Sequence, residues 1–206
     1  MKEKVVDYVI NINKIKIKIM PIKKIVSQII NGVKGGIVAA LKGVADISGA
    51  IVGTVKKVTV STLKGIGNVG ETTIEAIGGV VKGAIVGFSE IGTTILGSIR
   101  GIVSGAIQGA VEAGGRQREA TRGAIRQAIQ SAKETGEDLG QVAVESVKGA
   151  IDAAKSIGGN VLDATREAIK AAIEATEDVS KEGVTVVKDS LEKAIEGAKD
   201  ILSEIK

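Results

Sequence analysis

The chain of 206 residues lacks cysteine, histidine and tryptophan, and it contains only one proline, one tyrosine and one phenylalanine. Without cysteine, no disulfide or thiolate metal site can form. Histidine is the commonest general base and metal ligand in proteins, and nucleophilic catalysis usually needs such a base or a cysteine. We therefore predict a non-enzymatic protein with no catalytic residues, no metal site and no cofactor. The scarcity of aromatic side chains, which dominate ordinary cores, favours helices that pack through aliphatic and small residues.

Charge is distributed unevenly along the chain. Residues 1–35 carry eight basic and two acidic side chains (+6), residues 36–115 carry six and five (+1), and residues 116–206 carry fourteen and seventeen (−3). We divide the chain into a basic head at residues 1–21, an apolar glycine-rich array at residues 22–115 and a charged array at residues 116–206. Because the last array is net acidic and few aromatic side chains are present for base stacking, nucleic acid is not an expected partner.

An 11-residue repeat runs from Ile22 to the C-terminus. With positions labelled a to k, positions a and i are almost wholly apolar as far as Ala110, after which position a carries mostly small side chains. Eleven residues fill three helical turns at about 3.67 residues per turn, so this period keeps one helix face apolar and produces right-handed or straight bundles. We call this face the apolar stripe. The predicted fold is all-α: one long helix over residues 22–206 in a multi-helix oligomer, with bends at Gly114–Gly115 and Gly158–Gly159.

The predicted partner is the chain itself, in parallel copies. Each helix-interior glycine costs about 1 kcal/mol relative to alanine, and the chain has 28 glycines, so the apolar stripe must be covered to stabilise the helix. The predicted oligomer interface consists of stripe residues: Ile22, Val33, Val44, Val55, Ile66, Ile77, Phe88, Ile99, Ile85, Leu96, Ile107, Ile129, Ile151, Leu162, Ile173 and Ile195.

A second period of 22 residues is superimposed on the first. Position e alternates between large and small side chains, which predicts that large residues of one chain enter gaps on another. The large members are Ile37, Val81, Val103, Ile125, Val147, Ile169 and Leu191, and the small ones are Ser48, Gly70, Gly92, Gly114, Gly136, Gly158 and Ser180. Position b is often basic and position c is often acidic late in the chain, which predicts a solvated edge or ion pairs.

The head alternates lysine and isoleucine over residues 14–19. Strict alternation predicts a short β-strand, which must pair with another strand to be stable; a disordered tail or contact with anionic lipid are the alternatives. No small-residue cleavage site follows an apolar run, so we expect no signal peptide and a cytoplasmic or membrane-associated protein.

Two further segments suggest other functions. Residues 65–70 match the pattern G-x-G-x-x-G, which binds dinucleotides when a strand precedes it and a helix follows. Its glycines are in register with the 11-residue repeat, which accounts for them without a cofactor. Residues 83–111 contain only Glu90 and Arg100 as charged residues and are long enough to cross a bilayer, so a membrane-embedded middle is an alternative to a buried core.

The spacing of the apolar positions over residues 22–206 resembles that of hendecad coiled-coil proteins. This resemblance implies right-handed bundles or stalks, some of which pass into membranes. Segments such as residues 77–84 are also similar to the 11-residue repeats of synuclein-type and perilipin-type proteins, which implies binding to lipid surfaces. Those families place lysine on both rims of the apolar face, whereas here only position b is basic. We therefore expect a structural protein that assembles into a bundle, tube or filament, with a peripheral lipid-coating protein as the alternative.

Overall fold

A computed structural model describes residues 23–40, 47–66 and 72–205 of the chain. These ranges contain nine helices and no strand. Helix α1 covers residues 23–40, and the others are α2 (Ile47–Ile66), α3 (Thr72–Glu90), α4 (Ile95–Glu112), α5 (Gln117–Thr135), α6 (Leu139–Ser156), α7 (Val161–Val179), α8 (Gly183–Ala194) and α9 (Ala198–Glu204). The predicted all-α class is confirmed.

The turns between helices recur every 22 residues and depend on glycine. Gly92, Gly114, Gly136 and Gly158 have φ values between 71° and 90°, a left-handed conformation that glycine adopts without steric cost. At Gly114 the helix ends in a double hydrogen bond: the Gly115 amide donates to the carbonyl of Ala110 at 2.8 Å, and the Gly114 amide donates to that of Val111. This arrangement satisfies the last carbonyls of the helix and reverses the chain.

Helices α4 to α7 each start three residues after a turn glycine, so that the N-cap residue lies two positions after it. Thr94, Asp138 and Asn160 precede the first residues of α4, α6 and α7, and their side chains accept hydrogen bonds from backbone amides three residues later. Such caps stabilise a helix start by about 1 kcal/mol. The glycine and the cap therefore form a local stop-and-start signal at three of the four turns between α3 and α7. At the fourth, Arg116 lies at the same place before α5 and makes no such bond.

The prediction of one long helix is wrong, because these turns divide the chain into antiparallel helices. The helices form two layers, with α1, α3, α5, α7 and α9 in one and the even-numbered helices in the other. Helices α2 to α9 contact only helices one or two places away in the sequence. The closest contacts join parallel helices of the same layer, such as α2 with α4 and α5 with α7. The result is a linear array of the kind formed by helical repeat proteins.

The core lies between the layers and is filled by the middle of each helix. The large position-e residues Ile37, Val81, Val103, Ile125 and Val147 are all fully buried. The small position-e residues Gly92, Gly114, Gly136 and Gly158 are the turns. The predicted insertion of large residues into gaps on another chain is therefore wrong at these positions. The large position-e residues lie in the middle of helices and the small ones lie at the turns, all within one chain.

Within a layer, glycines bring parallel helices into backbone contact. Gly101, Gly105 and Gly109 lie on the face of α4 that packs against α2. A Cβ atom on Gly105 would come within 2.6 Å of the carbonyl oxygen of Val52, and one on Gly109 would come within 2.6 Å of that of Lys56. Small residues spaced by four permit this close approach. The corresponding face of α3 carries Gly79, Gly83 and Gly87, which pack against α1.

The remaining predictions about organisation have different outcomes. The bends expected at Gly114–Gly115 and Gly158–Gly159 are confirmed as turns. Residues 83–111 do not form a single helix, because the chain turns at residues 91–94. Among the described residues, no helix has both the length and the apolar character needed to cross a bilayer. The strand-like head lies outside the described residues, and the division at residue 115 stays a prediction.

Candidate interaction surface

The predicted interface residues lie mostly inside the chain itself. Ten are buried between its own helices: Val33, Val55, Ile77, Ile85, Phe88, Ile99, Ile107, Ile129, Ile173 and Ile195. Leu96 and Ile151 are half-buried and Leu162 is 61% exposed, whereas the side chains of Ile22, Val44 and Ile66 lie outside the described set. Other helices of the chain thus provide the cover that we had assigned to neighbouring copies, and contact between copies stays a prediction.

Ion pairs connect successive helices of each layer along the outside of the array. Eight pairs join a helix to the next one in its own layer, and in all eight the base belongs to the earlier helix and the acid to the later one: Lys34–Glu90, Lys56–Glu112, Lys82–Glu134, Arg100–Asp152, Arg118–Glu167, Arg122–Glu174, Arg126–Asp178 and Arg166–Glu204. We call this set the ion-pair ladder. Helices α3, α4, α5 and α7 therefore each have a basic side facing forward along the array and an acidic side facing backward.

The ladder also records how far each helix is displaced along its neighbour. Lys34–Glu90 and Lys56–Glu112 are 56 positions apart, whereas Lys82–Glu134 and Arg100–Asp152 are 52 apart. The glycine contacts change by the same four residues, from 53 positions between Gly105 and Val52 to 49 between Gly149 and Arg100. The starts of α2 and α4 are 48 positions apart, whereas those of α4 and α6 are 44 apart. The longer spacing between helix starts therefore accounts for the change of four residues, and both pairs of helices pack with the same displacement along one another.

Two ladder members have displaced pKa values. The pKa of Glu112 is lowered because the Lys56 ammonium donates a hydrogen bond to its carboxylate and attracts its negative charge. The pKa of Arg100 is raised chiefly by the hydrogen bond to Asp152; burial opposes this increase, and the charges of Asp152 and Glu145 add smaller increases. Pairs this exposed contribute little to stability, so the ladder selects register and direction more than it stabilises the fold.

The first two helices have a side that no other described residue covers, which we call the N-terminal edge. It consists of exposed residues on the side of α1 and α2 away from α3 and α4: Lys24, Gly32, Gly35, Ala39, Gly53, Lys57, Ser61 and Lys64. A Cβ atom added at Gly32, Gly35 or Gly53 would have no described atom within 4 Å. Helices α1 and α2 contain six lysines and no acidic residue, a net charge of +6. Lys34 and Lys56 are in the ladder. The other four lysines form no ion pair within 4 Å among the described residues, although Lys64 lies close enough to Glu112 to help lower the pKa of that carboxyl group.

The opposite end of the array is acidic. Helices α8 and α9 and the turn between them, residues 183–204, contain three lysines and five carboxylates, a net charge of −2. We define the C-terminal face as the exposed residues Thr185, Asp189, Glu192 and Glu196. Helix α9 packs against α7 and α8 and buries Ile201 there, so this end is closed by a polar cap.

The array has one large cleft among those described, between α4, α6 and α8. It encloses about 680 Å³ and is lined by residues that include Arg100, Gln141, Glu145 and Ser190. Arg100 is paired with Asp152 and Glu145 with Lys148, so its charged groups are already neutralised. The described residues contain no cluster of three or more metal-ligating side chains.

Residues 58–61, which precede the G-x-G-x-x-G pattern, are helical rather than extended, and residues 67–70 lie outside the described ranges.

The uncovered edge had a sequence signal that our prediction missed, since α1 and α2 contain no acid where later helices carry the acidic half of the ladder. No protein family, curated protein or solved structure matches this chain.

Proposed function

We propose that this chain is a non-enzymatic structural protein that associates with further copies of itself through the N-terminal edge. The supporting observation is a contrast between equivalent faces. In α3 and α4 the glycine-rich face is filled by the preceding helix of the same layer, with added Cβ atoms at Gly83 and Gly105 meeting backbone oxygens at 2.6 Å. In α1 and α2, a Cβ atom added at Gly35 or Gly53, on the face turned toward the start of the array, meets no atom of the described residues within 4 Å.

The physical reason for association is that the N-terminal edge has the glycine-rich surface against which a parallel helix packs elsewhere in the array, and no described helix packs against it. Repeat arrays normally end in a polar cap, because an uncovered repeat exposes the surface that its neighbour would bury. The C-terminal face provides such a cap and the N-terminal edge does not. Half-buried Val52, Val58 and Val60 of α2 would lose further contact with water if the edge were covered, and each side chain fully buried contributes roughly 1.5–3 kcal/mol.

The test is the mass of the full chain in solution, measured by sedimentation velocity over a range of concentrations. We expect the wild type to exceed the 21.0 kDa of one chain, with a mass that rises with concentration. The variant Gly35→Glu/Gly53→Glu should remain at one chain's mass. Both sites are exposed and helical, and glutamate is a better helix former than glycine, so unfolding would not explain the loss. The control Gln130→Glu adds a charge on the exposed side of α5 and should assemble normally. A wild type that stays at 21.0 kDa throughout refutes self-association.

A second candidate is peripheral binding to an anionic lipid surface, favoured by the +6 charge of α1 and α2. Lysines next to an anionic membrane contribute about 1 kcal/mol each. Vesicle co-sedimentation separates the candidates: lipid binding predicts that the wild type pellets with phosphatidylserine-containing vesicles but not with pure phosphatidylcholine, and that Lys57→Glu/Lys64→Glu abolishes pelleting. Equal recovery with both kinds of vesicle refutes this candidate.

A further inference from the structure

We propose that copies of this chain join head to tail, with the N-terminal edge of one copy seated on the C-terminal face of the next. This inference rests on the proposed self-association and specifies the surface that the N-terminal edge meets. Its occupant is therefore a second copy of this chain, presented through α8 and the turn after it.

Charge complementarity is the first argument. The N-terminal edge contains three lysines and no acid. The C-terminal face contains Asp189, Glu192 and Glu196, of which Glu192 is paired with Lys199 at 3.9 Å. Pairing two N-terminal edges would place Lys57 and Lys64 of each copy opposite the same lysines, and like charges in close contact disfavour such a complex. A second copy could cover the N-terminal edge with its own N-terminal edge or with its C-terminal face, and the charges favour the C-terminal face.

The layout of the array gives the second argument. Because contacts join only helices one or two places apart, α1 and α2 lie at one end and α8 and α9 at the other. A contact between two different surfaces at opposite ends leaves one of each free in every complex, so association continues into an open chain of copies. Two of the large apolar side chains exposed in the described residues lie on helices at the ends of the array, Ile25 on α1 and Val186 on α8, whereas the third, Leu162, lies on α7.

The junction differs from the ion-pair ladder in one respect. Inside the array the earlier helix provides the base and the later helix the acid, whereas at the junction the acids come from α8 of one copy and the lysines from α1 and α2 of the next. At the junction the order of acid and base along the array is therefore the reverse of the order in the ladder, so the junction does not continue the repeat. Exposed charge pairs are screened by salt, so the mass of the assembly should fall as ionic strength rises.

A charge-exchange experiment tests the pairing in the full chain. Lys57→Glu/Lys64→Glu alters the N-terminal edge, and Asp189→Lys/Glu196→Lys alters the C-terminal face. None of these four residues forms an ion pair within 4 Å in the described part of the chain, although Lys64 also acts on the charge of Glu112, so the far-UV circular dichroism of each variant is compared with that of the wild type. Each double variant should sediment as a single chain. The quadruple variant carries exchanged charges on both surfaces and should regain the wild-type mass. The control Lys133→Glu/Lys155→Glu changes two exposed lysines on α5 and α6 and should assemble like the wild type.

The outcomes distinguish the two levels of the proposal. If the wild type assembles and Asp189→Lys/Glu196→Lys assembles equally well, the head-to-tail junction is refuted while self-association stands. Failure of the quadruple variant to recover, with its far-UV circular dichroism unchanged, also refutes the junction. If the wild type is a single chain at every concentration and salt, both self-association and the junction fall, and pelleting with phosphatidylserine vesicles would then identify lipid as the partner of the edge.

Discussion

Replacing Gly105 by alanine tests whether glycine sets the distance between parallel helices. The added Cβ would lie 2.6 Å from the carbonyl oxygen of Val52, 2.9 Å from the Cβ of Val55 and 3.1 Å from the backbone nitrogen of Lys56. Two of these contacts are with backbone atoms, so no change of rotamer relieves them and α4 must move away from α2. Overpacking of this kind costs about 1–3 kcal/mol.

The matched control is Gly53→Ala, on α2 at the N-terminal edge, where an added Cβ meets nothing within 4 Å. Alanine is about 1 kcal/mol better than glycine in a helix interior, and this gain applies at both sites. Gly53→Ala should therefore raise the free energy of unfolding, while the difference between the two variants isolates the packing cost of about 1–3 kcal/mol. Urea unfolding followed by circular dichroism measures both, and the m-value shows whether the cooperativity of unfolding is retained. Equal stabilisation by the two alanines would refute backbone contact between α2 and α4.

Three further predictions concern the turns, the caps and pH. Gly136→Ala should destabilise the chain by about 1–2 kcal/mol, because Gly136 has φ 74° and a Cβ disfavours this conformation; Gly136→Asn should lose less stability in the same urea unfolding assay. Asp138→Ala removes the cap that accepts from the Gln141 amide at 2.9 Å and should cost about 1 kcal/mol, whereas Asp138→Asn should retain most of the stability. The lowered pKa of Glu112 stabilises the fold above the pKa of the unfolded chain, and this contribution disappears as pH falls through the folded pKa. Lys56→Met should return the pKa toward its ordinary value in a carboxyl NMR titration, and an unchanged titration would contradict the pairing.

The sequence was sufficient to predict an all-α fold, the 22-residue unit and the residues that are buried, because these depend on local periodicity. Val55, Ile77 and Ile107 belong to the predicted stripe and are all 0% exposed. The period alone does not distinguish a continuous helix from a folded one, since helices of 18–20 residues joined by short turns preserve the 22-residue unit. The distinguishing signal was a glycine followed two positions later by a capping side chain, as at Gly136 and Asp138.

The candidate surface was harder to predict because its residues are ordinary members of the repeat. Gly53 and Gly105 are both helical glycines on glycine-rich faces, yet one is exposed and the other touches backbone. The difference comes from their place in the array and from the direction in which each helix is covered. The residues around each glycine contain no information about its place in the array or about the direction in which its helix is covered. The lack of acidic residues in α1 and α2 could have been read from the sequence, but only once the helix boundaries were known.

A linear array of helices always has two ends, and adding repeats moves an end without removing it. An end is stable in water when its outer residues are polar or when another molecule covers it. Here α8 and α9 provide Asp189, Glu192 and Glu196 at one end, whereas the other end retains exposed glycines and three lysines. The two ends therefore differ in both packing and charge. The uncovered glycine-rich face supplies the reason to associate, and the opposite charge of the far end selects which surface it meets.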